Sequence, residues 1–170
     1  MKFLKRRKKK TAQDRRPKCW KTVLCVVPEV VSWKEAWDWK ADLWLFRRIL
    51  MRVFRDPQSA FDFLIGRRGK KAKKQCDLLV LDFTTNNADE ERKMRELFVM
   101  ILQSRGLVPG IIVVCGSSDQ EETYGGIYRS IAERSRYIIP RIDFRKVINP
   151  LEHRVLIPDG ILEWFQRERT

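Results

Sequence analysis

CDLLVLDFTTNNADEE, residues Cys76–Glu91, decides the fold. Leu78–Leu81 is apolar at every position. A strand open to water on one face would alternate, so the run predicts a strand over Cys76–Phe83 that is covered on both faces, as in a parallel sheet. Asp82 closes that run where the chain leaves the core for a polar loop, and the acidic ADEE then opens a helix predicted over Asp89–Arg105. A carboxylate at such a strand end can do one of three things. It can cap the next turn through side-chain-to-backbone bonds, hold a metal or phosphate, or accept a phosphoryl group.

The same pattern recurs on both sides. Thr22–Val27 (TVLCVV) is a short β-branched run ended by Pro28, which has no amide donor for a ladder. In SWKE, Ser32 can cap a helix while Glu35 reaches back to it. Trp33–Arg55 contains no Gly or Pro and reads as one long helix, stopping before Asp56-Pro57. A short helix follows over Pro57–Ile65, closed by Gly66. Downstream come a strand Gly110–Cys115, a helix Ser118–Arg134, a strand Tyr137–Pro140, a short strand Val155–Ile157 and a terminal helix Ile161–Arg169. This alternation predicts a three-layer α/β fold, a mostly parallel sheet of about five strands with helices on both faces. The 170 residues suit one such domain, 19–170, with a basic loop at 66–75 and a flexible basic arm over residues 1–18.

The net charge of +14 is concentrated in those two places. Residues 1–21 hold eleven Lys/Arg against Asp14, Gly66–Lys74 holds six more, and the remainder sums to about −2. Charge so placed predicts a polyanion partner rather than a fold. The contacts are expected from Lys2, Lys5, Arg6, Arg7, Lys8, Lys9, Lys10, Arg15 and Arg16 in the arm, and from Arg67, Arg68, Lys70, Lys71, Lys73 and Lys74 in the loop. Nucleic acid is the expected partner, gripped by its phosphates and without sequence preference, since no zinc-finger, RRM or helix-turn-helix pattern is present. An anionic membrane surface is the alternative. No apolar run reaches the ~20 residues of a transmembrane helix and no secretory signal opens the chain, so a cytosol-like compartment is expected. Cys19, Cys25, Cys76 and Cys115 are far apart and His153 is the lone histidine, which argues for packed thiols and against zinc. His153 has no nucleophile motif beside it and reads as a solvent-facing or helix-end residue.

WKEAWDWKADLW, residues 33–44, holds four of the six tryptophans. On a helix Trp33, Trp37, Trp44 and Met51 form one stripe, with Leu43, Leu50 and Phe54 beside it. That apolar arc is wider than packing on a sheet requires. Three uses are open: a deep core helix, a protein-partner face through Trp33, Trp37 and Trp44, or a membrane interface.

Open α/β sheets bind ligands beyond the carboxyl ends of their strands. Here those ends carry Pro28-Glu29, Asp82 with Thr84–Asn87, Gly116–Asp119, and Arg141. With LLVLD, IIVVCGSS and RYIIP at compatible spacing, Thr22–Phe144 resembles a CheY-like receiver domain. The resemblance implies Asp82 as phospho-acceptor with Glu29 assisting Mg²⁺. The departures are an acidic pair reduced to Glu29, a hydroxyl position reading Cys115 or Gly116, and a lysine position reading Pro140 with Arg141 next, so a receiver of this kind is degenerate. QCDLLVLDFTTNN also resembles the Walker-B strand of MinD/ParA-type NTPases, but PEVVSWKE stands where their phosphate loop belongs. The expectation is a non-catalytic interaction or regulatory module that binds a polyanion, with no cofactor. A phospho-accepting switch at Asp82, with Mg²⁺, is the alternative, and a peripheral membrane accessory protein is another.

Overall fold

The computed structural model describes residues 21–28, 31–66, 76–147, 149 and 153–169, with side chains described from residue 156 in the last segment. The arm, the basic loop 67–75, Cys19 and Glu29 lie outside the described residues, so every polyanion-binding residue named above does too.

Five strands form one parallel sheet: β1 (Lys21–Val26), β2 (Ile49–Phe54), β3 (Leu78–Asp82), β4 (Gly110–Cys115) and β5 (Arg141–Lys146), in the spatial order β2-β1-β3-β4-β5. Every ladder is parallel. The connecting helices are α1 (Trp33–Arg47), α2 (Pro57–Ile65), α3 (Ala88–Gln103), α4 (Ser118–Arg134) and α5 (His153–Arg167). Alternate strand residues face opposite layers. Val23, Cys25, Leu78, Val80, Ile112 and Val114 pack with Trp39 and Leu43 of α1 and Ile161, Trp164 and Phe165 of α5. Leu24, Val26, Leu79, Leu81, Ile111 and Val113 pack with α2, with Leu97, Phe98 and Ile101 of α3, and with Tyr124 of α4. The expected three layers and two-faced burial of the central strands are present.

Local signals explain the helix ends. Ser32 and Glu35 close the capping box on α1. Asp56 caps α2 by accepting from the amides of Gln58 and Ser59, with Pro57 in the first turn. Asn87 accepts from Asp89 and Glu90 to start α3, and Ser117 from Gln120 to start α4.

Three expected elements are corrected. The helix predicted over Trp33–Arg55 stops at Arg47, and Ile49–Phe54 is the edge strand β2. Arg48 makes the break by adopting the left-handed conformation, φ 55°, with its amide donating to Leu43 O. Met51, Leu50 and Phe54 therefore belong to no helical stripe. The strand predicted at Tyr137–Pro140 is a connection, with Ile138 94% exposed, and β5 begins at Arg141 instead. Val155–Ile157 is helical: α5 runs from His153 through Pro158. Trp164 of α5 crosses the sheet so closely that a Cβ at Gly110 would stand 1.9 Å from its Cζ2, so only glycine fits the start of β4.

Candidate functional site

The carboxyl ends of β1 and β3 and the starts of α2 and α3 enclose a cleft of about 200 Å³. Its walls include Pro28, Arg55, Asp56, Asp82, Thr85, Glu90 and Lys93. Asp82 is 1% exposed and is the one buried charged residue among the described residues. Its Oδ1 accepts the amide of Thr84 at 3.0 Å and the Thr84 hydroxyl at 2.6 Å. This is turn-capping, one of the three uses open to a carboxylate at this strand end. The loop that follows is tied down as well. Thr85 Oγ1 donates to Glu90 Oε2 at 2.6 Å and accepts the amide of Asn87 at 3.1 Å, so the Asp82 turn is braced directly on the start of α3.

Gln120 of α4 bridges the neighbouring loops. Its Nε2 donates to Phe83 O at 3.1 Å, and its Oε1 accepts the amide of Gly116 at 2.8 Å. Glu91 accepts from the buried Tyr124 hydroxyl at 3.0 Å. Burial pushes the Tyr124 phenol well up from its ordinary value. Burial likewise pushes up the thiol of Cys25, with the Asp82 charge adding to it, and lifts Cys115 to about 12, with Glu121, Asp82 and Glu91 contributing. Cys25, Cys76 and Cys115 are buried and in no disulfide, as expected for packed cysteines.

Positive charge reaches the cleft from two side chains the sequence reading did not single out. Arg55, at the end of β2, donates to the carbonyls of Pro28 and Val31, and its guanidinium lies 4.5 Å from the Trp33 ring centre. Lys93 enters from the second turn of α3. The carboxylates around Asp82 already have partners: Asp56 is held by Ser59 and Gln58, and the Ser59 hydroxyl bond keeps its carboxyl below the ordinary 3.8. No group of three or more His, Cys, Asp or Glu able to hold a metal ion occurs among the described residues. Arg55 and Lys93 line the cleft beside Asp56, Asp82 and Glu90, while Glu29, the residue expected to assist Mg²⁺, lies outside the described residues.

One of the expected strand-end residues is elsewhere. Arg141 starts β5 instead of ending a strand, so it lies at the opposite edge of the sheet, where its guanidinium covers the Trp164 ring at 4.1 Å. The cation that does end β5 is Lys146, paired across the ladder with Cys115 and donating to Ser118 Oγ at 2.9 Å. The usable signal was Lys146 followed shortly by Pro150; reading Tyr137–Pro140 as the strand moved the lysine position six residues too early. Of the tryptophans, Trp39 is buried, while Trp33, Trp37 and Trp44 are largely exposed.

The sheet order with β1 between β2 and β3 is the one shared by flavodoxin and CheY. Known structures agree. The phosphorylated cyanobacterial phytochrome response regulator RcpA superposes with a TM-score of 0.61 at 16% identity, covering 89% of this chain and 98% of that one. The Mn²⁺-bound response regulator Rcp1 gives 0.57 at 17% identity, with 85% and 94% covered, and a receiver domain from Rhodospirillum rubrum gives 0.56 at 14%, with 84% and 92% covered. No family model matches the sequence, and no curated protein matches it. The fold is that of a CheY-like receiver domain. The phosphate-loop NTPase resemblance gains no support from this topology.

Proposed function

We propose that the chain is a receiver-like switch in which Asp82 is the responsive group. The observation that carries this is the placement of Asp82 at the end of β3 and Lys146 at the end of β5, along one edge of a five-stranded parallel sheet of receiver order. A carboxylate oxygen of Asp82 would attack the phosphorus of a small acyl phosphate. The P–O bond to the acyl group breaks and the carboxylate of the donor leaves with that electron pair. Phosphorylation competes with the two bonds that Thr84 makes to Oδ1. Loosening Thr84 frees the loop that Thr85 and Asn87 brace against α3, so the response is read out at the start of that helix. Lys146 would leave the Ser118 hydroxyl to meet the new charge, alongside Arg55 and Lys93 that line the cleft.

Titration with beryllofluoride or acetyl phosphate, with Mg²⁺ supplied or withheld, tests this on the parent and on Asp82→Asn. An Asp82-dependent shift of amide signals from Thr84 to Glu90 is the expected result. A parent that responds no more than Asp82→Asn refutes the switch. The burial of Asp82 favours a second reading, a non-catalytic interaction module in which the carboxylate only holds the turn, and that same null result supports it. The polyanion-binding role is a proposal of the sequence, resting on the basic tracts outside the described residues.

A further inference from the structure

The amino edge of the sheet, at the other end of the strands from Asp82, has a different chemistry. A cleft of about 490 Å³ opens there between the C-terminal turns of α1 and α5. Lys21, Arg47, Arg48 and Arg169 line it against the single carboxylate of Glu168, and Ile49, Leu162 and Phe165 form its apolar wall. Lys21 Nζ stands 3.7 Å from Glu168 and 5.5 Å from the Phe165 ring centre, so it spans both surfaces. Beside this cleft the last turn of α1 leaves three large apolar side chains in water: Trp44 at 45% exposure, Leu45 at 71% and Phe46 at 75%. Trp37, with Lys40 Nζ 4.4 Å above its ring, shares a face with Trp44 at i, i+3, i+7 spacing, while Leu45 and Phe46 extend the exposed apolar surface around the end of the helix.

We infer that this edge docks on an anionic lipid bilayer, with Arg47, Arg48, Lys21 and Arg169 at the level of the phosphates and Trp44, Leu45 and Phe46 below them. The inference is independent of any role for Asp82. Two observations choose the occupant. Residues 1–20 precede Lys21, which lines the cleft, and carry ten Lys/Arg against Asp14, a charge of the same sign as the cleft's. Basic clusters of this size recognise acidic headgroups additively. Leu45 and Phe46 separate a bilayer from a duplex: a bilayer interface receives exposed aliphatic and aromatic side chains beneath its phosphates, whereas a double helix, its bases stacked inside, presents them its charged backbone.

Flotation of the full chain with phosphatidylcholine vesicles, with and without about 30 mol % phosphatidylserine, tests this. The variants are Arg47→Glu/Arg48→Glu and Leu45→Ser/Phe46→Ser, each checked for an unchanged thermal midpoint because all four side chains are exposed. Capture only by the anionic vesicles is expected, with affinity falling about tenfold or more in each variant. A double-stranded oligonucleotide run in parallel should lose affinity only with the charge reversal. Absence of phosphatidylserine-dependent capture overturns the inference. So does parental binding by Leu45→Ser/Phe46→Ser, which would leave the basic arm as the whole attraction, or a loss of oligonucleotide binding in that variant as large as its loss of vesicle binding.

Discussion

Gly110 and Trp164 are a pair fixed by space. A methyl at 110 would overlap the indole, which has close-packed neighbours on its other side, so Gly110→Ala should cost about 1–3 kcal/mol in chemical denaturation. Combining it with Trp164→Leu should recover part of that loss, because the two changes share one contact and cannot be additive. Cys25 and Cys115 make a second, pH-dependent prediction. Unfolded, each thiol ionises near its ordinary 9.0, whereas burial keeps the folded thiols protonated. The folded state thus holds protons that the unfolded state releases once pH passes about 9, so stability should be flat below that point and fall above it. Urea midpoints measured from pH 7 to 10.5 check this, and Cys25→Ala should make the fall shallower.

At the scale of elements, the turn from α1 to β2 is the least expected feature. Arg48 sits in a left-handed conformation that glycine adopts without cost, so Arg48→Gly should raise stability by about 0.5–1 kcal/mol in thermal or urea unfolding. The missing glycine is also why the strand was hidden. Sequence patterning located β1, β3, β4, α2, α3 and α4 because central strands are apolar on both faces and those helices carry cap residues or proline at their starts. ILMRVF follows a helix without punctuation, and as an edge strand it shows Arg52 to water, so it reads as a continuing helix. RIDFRK hides for a related reason. It is the opposite edge strand, and charge on an edge suits a surface that must not pair with another chain. Asp143 and Arg145 there pair with each other at 2.9 Å, and Arg145 reaches Glu163 of α5 at 2.7 Å. The nearby YIIP is more apolar but serves as a connection, with Tyr137 hydroxyl donating to Leu102 O and Tyr128 hydroxyl to Pro140 O. Asp82 was legible from the end of its strand alone. Lys146, Arg55 and Lys93 were not, since each depends on where a neighbouring element begins or ends.

Across the whole molecule, the buried carboxylate is what distinguishes the two ends of the parallel sheet. The carboxyl edge sets Asp82 and its braced loops among Arg55 and Lys93; the amino edge gathers Lys21, Arg47, Arg48 and Arg169 beside Trp44, Leu45 and Phe46. No described helix is long and apolar enough to cross a membrane. Strands of five or six residues rise about 3.3 Å per residue, which puts roughly 20 Å between the two edges. A protein standing on headgroups by its lower rim would hold the Asp82 cleft upright on a pedestal, turned to the aqueous side. Anchorage and phosphodonor access would then compete for no common surface, and a soluble partner could approach α3 from above while the base stayed in place.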